Sequence, residues 1–280
     1  VIGTGGYICG ATISAAHSLK IPTLLHESNA FPGKAVKMLA NKTDTILVSF
    51  EDARSRIKNA KNIVYTGTPV KIRKKEYGIN EKNSIIKSAG LNETKPIVLI
   101  FGGSQGAQKI NEAVVGILKE KLNQKYQIVW ATGPKQFDIV KEELKKSSID
   151  IEKVQNAKIL PYIYNMEEIM NISDIIVARS GAMTITEISN LGKPSILIPL
   201  PNVSQDHQLR NAEVLQKIGA AFFTSSALIP FSLIDFFASR ISSGLRTNMP
   251  LFFVGGGDSG TDQSSWFLAI LPIKSSASSG

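Results

Sequence analysis

The chain has 280 residues, a formal net charge of +9, 43% apolar residues and 20% charged residues. That balance excludes a disordered chain, and no apolar run reaches the roughly 20 residues of a membrane-spanning helix. The single cysteine, Cys9, excludes an intrachain disulfide and fits a reducing compartment. The positive charge suits a phosphate, a nucleic acid or an anionic membrane surface without choosing among them.

Val1-Ile2 reads as the end of a strand, and an opening in mid-strand implies residues upstream. Gly3 to Gly6 is a loop and Ala11 to Leu19 a helix. Pro22 to His26 is a short buried strand. Pro32 to Ala40 is helical, with its proline in the first turn. Ile46 to Phe50 and Ile63 to Tyr65 are strand-like. Short apolar runs alternating with helical patterns imply parallel βαβ units. The stretch from Lys71 to Lys95 is charged and irregular, a linker with a short helix, and marks a domain boundary.

A second alternation begins at Pro96. Strands are expected at Ile97 to Phe101, Tyr126 to Ala131, Ala157 to Leu160, Ile175 to Ala178 and Ser195 to Pro199. Helices lie between them, the first from about Ala107 to Leu122, and His207 to Ile218 closes the series. The fold class that follows is α/β, two Rossmann-like domains of parallel strands facing a cleft. Composition changes near Ser225: from Ser226 to Gly280 there is no Glu and one Lys, and eight of the twelve Phe lie from Phe222 onward. We expect domains at 1–72 and 95–225, a linker at 73–94, and an atypical tail at 226–280 of frame-shifted or foreign origin.

Phe101-Gly102-Gly103-Ser104-Gln105-Gly106 stands between a strand and a helix. Glycines let backbone amides approach an anion, the helix N-terminus adds free N–H groups, and Ser104 offers a hydroxyl. The run is neither a Walker motif nor the usual dinucleotide fingerprint, so it is either a phosphate loop or a tight turn. Arg179-Ser180-Gly181-Ala182-Met183-Thr184 is a second strand-to-helix loop. Glu187, one turn on, either accepts from both ribose hydroxyls or complements the helix dipole. Gly3-Thr4-Gly5-Gly6-Tyr7 opens a helix in the first domain. His26-Glu27-Ser28-Asn29 follows a strand, where such folds place ligands; His26 is either catalytic or bonded to backbone. Asp206 reads as an N-cap, leaving His207 and Gln208 in the loop region. No set of residues has metal-ligand spacing, so no metal or cofactor is expected. The lysines and arginines recurring from Lys34 to Lys75 form either a solvated face or one drawn to anionic lipid.

As a set, these motifs resemble the MurG family, the UDP-N-acetylglucosamine:lipid I N-acetylglucosaminyltransferases of peptidoglycan synthesis. The residues that carry it are Gly5-Gly6-Tyr7, His26 to Asn29, Thr66-Gly-Thr-Pro-Val70, Gly102 to Gly106, Arg179 to Ala182 with Thr184 and Glu187, and Asp206-His-Gln208 with Asn211-Ala212. The likeness covers about residues 1–224. It implies a GT-B fold and no essential metal. Ser104 would meet the diphosphate, Ile163 the uracil through its backbone, and Ala182, Met183 and Thr184 the diphosphate and ribose. Glu187 would hold the ribose hydroxyls, while Gln208 and Asn29 would reach the donor sugar. Gly5, Gly6, Tyr7, His26 and Glu27 would belong to the acceptor side.

The implied partners are UDP-N-acetylglucosamine, lipid I and an anionic membrane surface, with the protein peripheral on the cytoplasmic face of the plasma membrane. The family's candidate base, a histidine in a Thr-Gly-Gly-His loop, would lie upstream of Val1. Lys71 stands where the family usually has Arg, keeping the charge for the donor but losing the bidentate fork. The rival expectations are another UDP-sugar transferase or epimerase and an inactive nucleotide-sugar-binding module. Nucleic acid is not an expected partner, because interleaved aromatics and recognised modules are lacking.

Overall fold

The computed structural model describes residues 1–201, 206–217, 221–223 and 234. Two parallel sheets are present among them. The first holds β1 (Ile2–Gly3), β2 (Leu24–Glu27), β3 (Thr45–Val48) and β4 (Ile63–Tyr65) in chain order. Helices α1 (Ile8–Ser18), α2 (Lys34–Leu39) and α3 (Glu51–Arg54) connect its first three strands onward. Its core is Ile13, Leu25, Val36, Leu39, Ile46, Val48 and Ala53. β2 and β3 bury alternate residues, the period-2 signature of a strand with one packed face.

The second sheet holds β5 (Ile97–Phe101), β6 (Gln127–Ala131), β7 (Ala157–Leu160), β8 (Ile175–Ala178), β9 (Ser195–Leu197) and β10 (Phe222–Phe223). Its spatial order is β10-β9-β8-β5-β6-β7, and every pairing is parallel. All residues of β5, β6 and β8 are buried, because helices cover both faces. Val98 and Ile100 face the layer of α5 (Gln108–Lys119) and α6 (Phe137–Lys146). Ile97, Leu99 and Phe101 face the layer of α4 (Ile79–Ser88), α7 (Met166–Ile172), α8 (Ala182–Leu191) and α9 (His207–Lys217).

Several boundaries differ from the expectation. Pro32 lies outside α2, which starts after Gly33. The backbone N–H of Gly33 donates to Glu27 Oε2 at 2.7 Å, so the loop is held in place until Gly33. The strand expected to run to Phe50 stops at Val48, and α3 follows. The series does not close with α9: β10 adds a further strand on β9. Asp206 is not a standard N-cap, since its φ of +50° is left-handed rather than extended. Of the expected tail, 226–280, only Ile234 falls within the described residues, and it is buried against the α5–α6 layer.

The linker is tied to the second domain. Asn171 Nδ2 donates to Arg73 O at 2.9 Å, and Asn171 Oδ1 accepts from Lys75 N at 2.9 Å. Asn190 Nδ2 donates to Ile72 O at 2.8 Å. Ile72 and Ile86 are buried in the α7–α8 layer.

Asp44 joins the starts of two first-domain strands. Its Oδ2 accepts from Thr23 N at 2.9 Å and Thr23 Oγ1 at 3.0 Å, and Oδ1 pairs with Lys61 at 2.8 Å. The Lys61 hydrogen bond first, then the two from Thr23, hold its carboxyl down at about 2. A depressed carboxyl stabilises the folded state above its unfolded pKa of about 3.9, and that contribution is lost as pH falls through about 2. Denaturant midpoints measured between pH 5 and pH 2 will therefore fall less in Asp44→Asn than in the parent. High salt will shrink the difference, because the pair is exposed.

Candidate active site

The chain runs from β5 outward through β6 and β7, then returns to place β8 on the other side of β5. α5 follows β5 onto one face and α8 follows β8 onto the other. Their loops therefore diverge and leave a crevice at the strand ends, the switch point where open α/β sheets bind ligands. Gly102–Gly106 and Arg179–Gly181 are the two loops that flank it.

The first of these loops is shaped by close backbone contact. A Cβ at Gly106 would collide with the carbonyl oxygen of Thr132, and one at Gly133 would meet Gly106 itself. Gly103 has a φ of +90° with open space beside it, so it is glycine for its backbone conformation alone. Ser104 and Gln105 are exposed, while Gly102 is half-buried against Ala107. Behind the loop, Asn111 is buried in α5. Its Nδ2 donates to Thr132 O at 2.9 Å and its Oδ1 accepts from Trp130 Nε1 at 3.1 Å. The start of α5 is thus tied to the end of β6.

The N-terminus of α8 faces the crevice without a cap. Gly181 stands at its N-cap position, no side chain caps its first N–H groups, and no acidic residue stands in its first turn. α5 also begins without a side-chain cap or an acidic residue. Unpaired N–H groups and the positive end of each dipole make such termini receptive to anions. Arg179 adds a positive charge at the end of β8. It is buried, with Nη1 donating to Ile198 O at 3.1 Å and Pro199 O at 2.9 Å, and burial lowers its pKa. Among the described residues it has no carboxylate partner, and its Nε has no hydrogen bond.

Glu187 is half-buried in the second turn of α8 and has no hydrogen-bond or ion-pair partner among the described residues. Burial raises its pKa. A carboxylate desolvated without a partner costs stability, and such costs gather at functional sites. Ala182 and Thr184 are half-buried and Met183 is 46% exposed on the same turns. Ile163, in the loop after β7, buries its side chain while its backbone N–H and C=O have no partner among the described residues.

α9 forms the remaining wall. Gln208 Oε1 accepts from Leu200 N at 2.9 Å, leaving its amide N–H groups without a described partner. Ser180 Oγ donates to Gln208 O at 2.7 Å. Three bonds cross from α9 to the first domain. His207 Nδ1 lies 3.1 Å from Phe31 O, Asn211 Oδ1 accepts from Ala30 N at 2.9 Å, and Asn211 Nδ2 reaches Asn29. Asn211 Nδ2 donates to Asn29 Oδ1 at 3.1 Å and to Ser180 O at 3.3 Å. Lys71 is exposed beside Ile72, where the chain enters the second domain.

In the first domain, Glu27 is buried and organises its loop. Its Oε1 accepts from Asn29 N at 2.9 Å and Asn29 Nδ2 at 3.1 Å, and its Oε2 accepts from Gly33 N. The Asn29 amide is therefore held at both ends. His26 Nε2 lies 3.1 Å from Gly67 O and 3.1 Å from Ser49 Oγ, and Ser49 also bonds to Thr68. That ring is engaged in fastening the Thr66–Val70 segment, the backbone-bonded alternative of the two expected. Gly5 and Gly6 have φ of +92° and +83°, and Tyr7 is 91% exposed. With Ser28, Asn29 and Lys34 they line a cavity of about 650 Å³, which His207 also borders.

Two Rossmann-type sheets bridged by the bonds of α9 and the linker, with the loop after β8 joined through Asn211 to the loop after β2, define the GT-B fold, an architecture of glycosyltransferases. The match to the glycosyltransferase family 28 C-terminal domain spans residues 97–240 and that to the family's N-terminal domain spans residues 1–48. The first runs past the change of composition at Ser225. Among curated proteins, the UDP-N-acetylglucosamine–N-acetylmuramyl-(pentapeptide) pyrophosphoryl-undecaprenol N-acetylglucosamine transferase of Ruminiclostridium cellulolyticum is 40% identical over 79% of this chain and 59% of its own length. The like-named protein of Desulforamulus reducens is 44% identical over the same shares. Among solved structures, MurG of Acinetobacter baumannii is 26% identical with a TM-score of 0.62, over 86% of this chain and 64% of its own. The chain belongs to glycosyltransferase family 28, in its MurG branch. It spans about three-fifths of the length of those curated relatives.

The glycines of the β5 loop give separable predictions. Gly106→Ala meets backbone that cannot move aside, whereas Gly103→Ala carries only the strain of a left-handed φ, about 1–2 kcal/mol. Thermal melts will show the larger fall for Gly106→Ala.

Proposed function

We propose that this chain holds the donor site of an inverting transferase that moves N-acetylglucosamine from UDP-N-acetylglucosamine to the 4-hydroxyl of the muramyl sugar of lipid I, making lipid II. The relatives whose names state that transfer support the reading, as does family membership. The observation that carries it is the pairing of an uncapped α8 N-terminus with an unpartnered, half-buried Glu187 at the switch point.

In this reading the N–H groups of Ala182, Met183 and Thr184 and the hydroxyl of Ser104 hold the diphosphate, with Gly102, Gly103, Gln105 and Gly106 shaping the loop. Glu187 accepts from the ribose hydroxyls, and the free backbone of Ile163 reads the uracil edge. Gln208 offers its unused amide N–H groups to the sugar. Lys71 adds charge at the crossing. Asn29, already bonded to Glu27 and Asn211, sets the near wall for the sugar. Gly5, Gly6, Tyr7 and the loop fixed by His26 and Glu27 form the acceptor side, around the cavity that Lys34 borders. Residues 1–72 are the acceptor-side domain, 73–94 the connection and 95–225 the donor domain.

In the transfer the muramyl hydroxyl oxygen bonds to the anomeric carbon as that carbon's bond to UDP breaks. The diphosphate leaves with the electron pair, and the hydroxyl proton passes to a base that we assign to no residue of this chain. Preorganised amides and dipoles at α5 and α8 stabilise the charge that develops on the diphosphate. Among the described residues no helix is long and apolar enough to cross a membrane. We place the protein at the cytoplasmic face of the plasma membrane, attached peripherally through its basic residues.

Calorimetric titration tests the donor site. A folded sample will bind UDP-N-acetylglucosamine saturably, and Glu187→Ala will weaken binding at least tenfold, about 1.4 kcal/mol. Because burial raises the Glu187 pKa, binding will weaken on acidification at a higher pH than an ordinary glutamate dictates. Glu187→Gln will remove that dependence and raise the melting temperature of the unliganded protein. A folded sample that does not bind contradicts the assignment. Conversion of the donor sugar without any acceptor would instead indicate an epimerase.

A further inference from the structure

Asn211 is fully buried, yet its three hydrogen bonds reach both sheets' loops. We propose that Asn211 is a positioning residue that registers the donor loop against the acceptor loop, so that a uridine diphosphate held by the second domain alone tightens the backbone of the first. The inference rests on the donor site proposed above.

Three features carry it. First, the chemistry of the side chain is committed. An amide offers one oxygen and two N–H donors; the oxygen takes the Ala30 N–H, and the nitrogen serves Asn29 Oδ1 and Ser180 O. An aliphatic residue would leave the Ala30 N–H and the Ser180 carbonyl unsatisfied in a buried place, and Asn29 Oδ1 unpaired at the cavity wall. A carboxylate would keep the Ala30 bond but set its second oxygen against two acceptors.

Second, each partner belongs to a rigid unit. Asn29 is clamped by Glu27, which also holds Gly33, so a pull on Ala30 or Asn29 is a pull on the whole loop from Ser28 to the start of α2. On the other side Ser180 is bonded twice to α9, through Asn211 and through the carbonyl of Gln208. Ser180 stands directly before Gly181 and the first turn of α8, where the diphosphate is placed.

Third, the distances are uneven. The Asn211 bond to Ala30 is 2.9 Å, while that to Ser180 is 3.3 Å, near the outer limit for an N–H donor. The long bond is the one on the donor side. Ligand on the α8 amides fixes Ser180 and shortens this bond, and the order gained passes through one side chain to Ala30. His207 to Phe31 O runs parallel to this path but does not touch Ser180.

Hydrogen–deuterium exchange on the whole chain, with and without UDP, tests the proposal. Without ligand, Asn211→Ala will speed exchange in the segment containing Ala30 at least tenfold. In the parent, UDP will slow that segment several-fold although it contacts only the second domain. In Asn211→Ala, UDP will still bind within about threefold of the parent affinity, but the slowing at Ala30 will vanish. Asn211→Asp, which retains the Ala30 acceptor and the side chain's volume, will keep more of the unliganded protection yet also lose the UDP-dependent slowing; it serves if the alanine variant does not fold.

Unchanged Ala30 exchange in unliganded Asn211→Ala would overturn the proposal whatever UDP does. So would UDP-dependent slowing that survives either substitution, or UDP binding to the parent with no slowing at all. Failure of UDP to bind the parent is a different outcome. It would sink the donor-site reading and, with it, the ligand-driven part of this inference, while the unliganded comparison still decides whether Asn211 joins the two loops.

Discussion

Two neighbouring parallel strands whose following helices pack on opposite faces of a sheet cannot close their loops over one another. β5 and β8 are such a pair. The chain fills one side of β5 first and then returns to fill the other, and this order opens the crevice into which both glycine-bearing loops point. The polar features of the second domain follow from that opening. α5 and α8 start at its rim with no side-chain caps, Arg179 is buried at its floor without a carboxylate, and Glu187 stands beside it without a partner. Each is a cost in an empty protein, and together they form a site whose charge and hydrogen-bonding groups suit an anionic ligand with hydroxyls attached.

The same constraint explains why the first domain sits where it does. α9 lies in the face that also holds α8. Its polar residues therefore reach both Ser180 and the loop after β2. The linker is bonded to Asn171 and Asn190 of the second domain. The first domain is thus held at two places, by a backbone segment stitched to the second domain and by side chains of α9. The bonds of Asn171, Asn190 and Asn211 join neutral groups, so screening by salt will touch them little, whereas it weakens the linker's Lys75–Glu167 pair at 3.6 Å.

Much of the second sheet was legible in the sequence because β5, β6 and β8 are buried on both faces and read as unbroken apolar runs. The loops after β5 and β8 were legible for the same reason, as glycines stand where an apolar run meets a helical pattern. The misread boundaries depend on side-chain bonds to backbone and on element length, neither of which leaves a period in the sequence. Pro32 looks like a first-turn proline until Glu27 is seen to hold the loop as far as Gly33. The linker's irregular composition conceals bonds to residues roughly a hundred positions away. β10 is two residues long and carries no period.

Polar residues inside the core were the least legible. Asn111 and Asn211 each sit on a helix face that the sequence alone does not mark as buried, and Asn211 stood out only as part of a family motif. His26 was open between two roles, and its bonds to Ser49 and Gly67 O depend on a strand pairing that spacing does not reveal. The measurement that bears most directly on the donor site is a crystal structure of the chain with UDP. Uracil is expected at the Ile163 backbone, the ribose hydroxyls on Glu187 and the diphosphate over the first turn of α8 beside Ser104. Nucleotide seated instead at the Gly5–Tyr7 loop, or absent at saturating concentration from an open crevice, would contradict that placement.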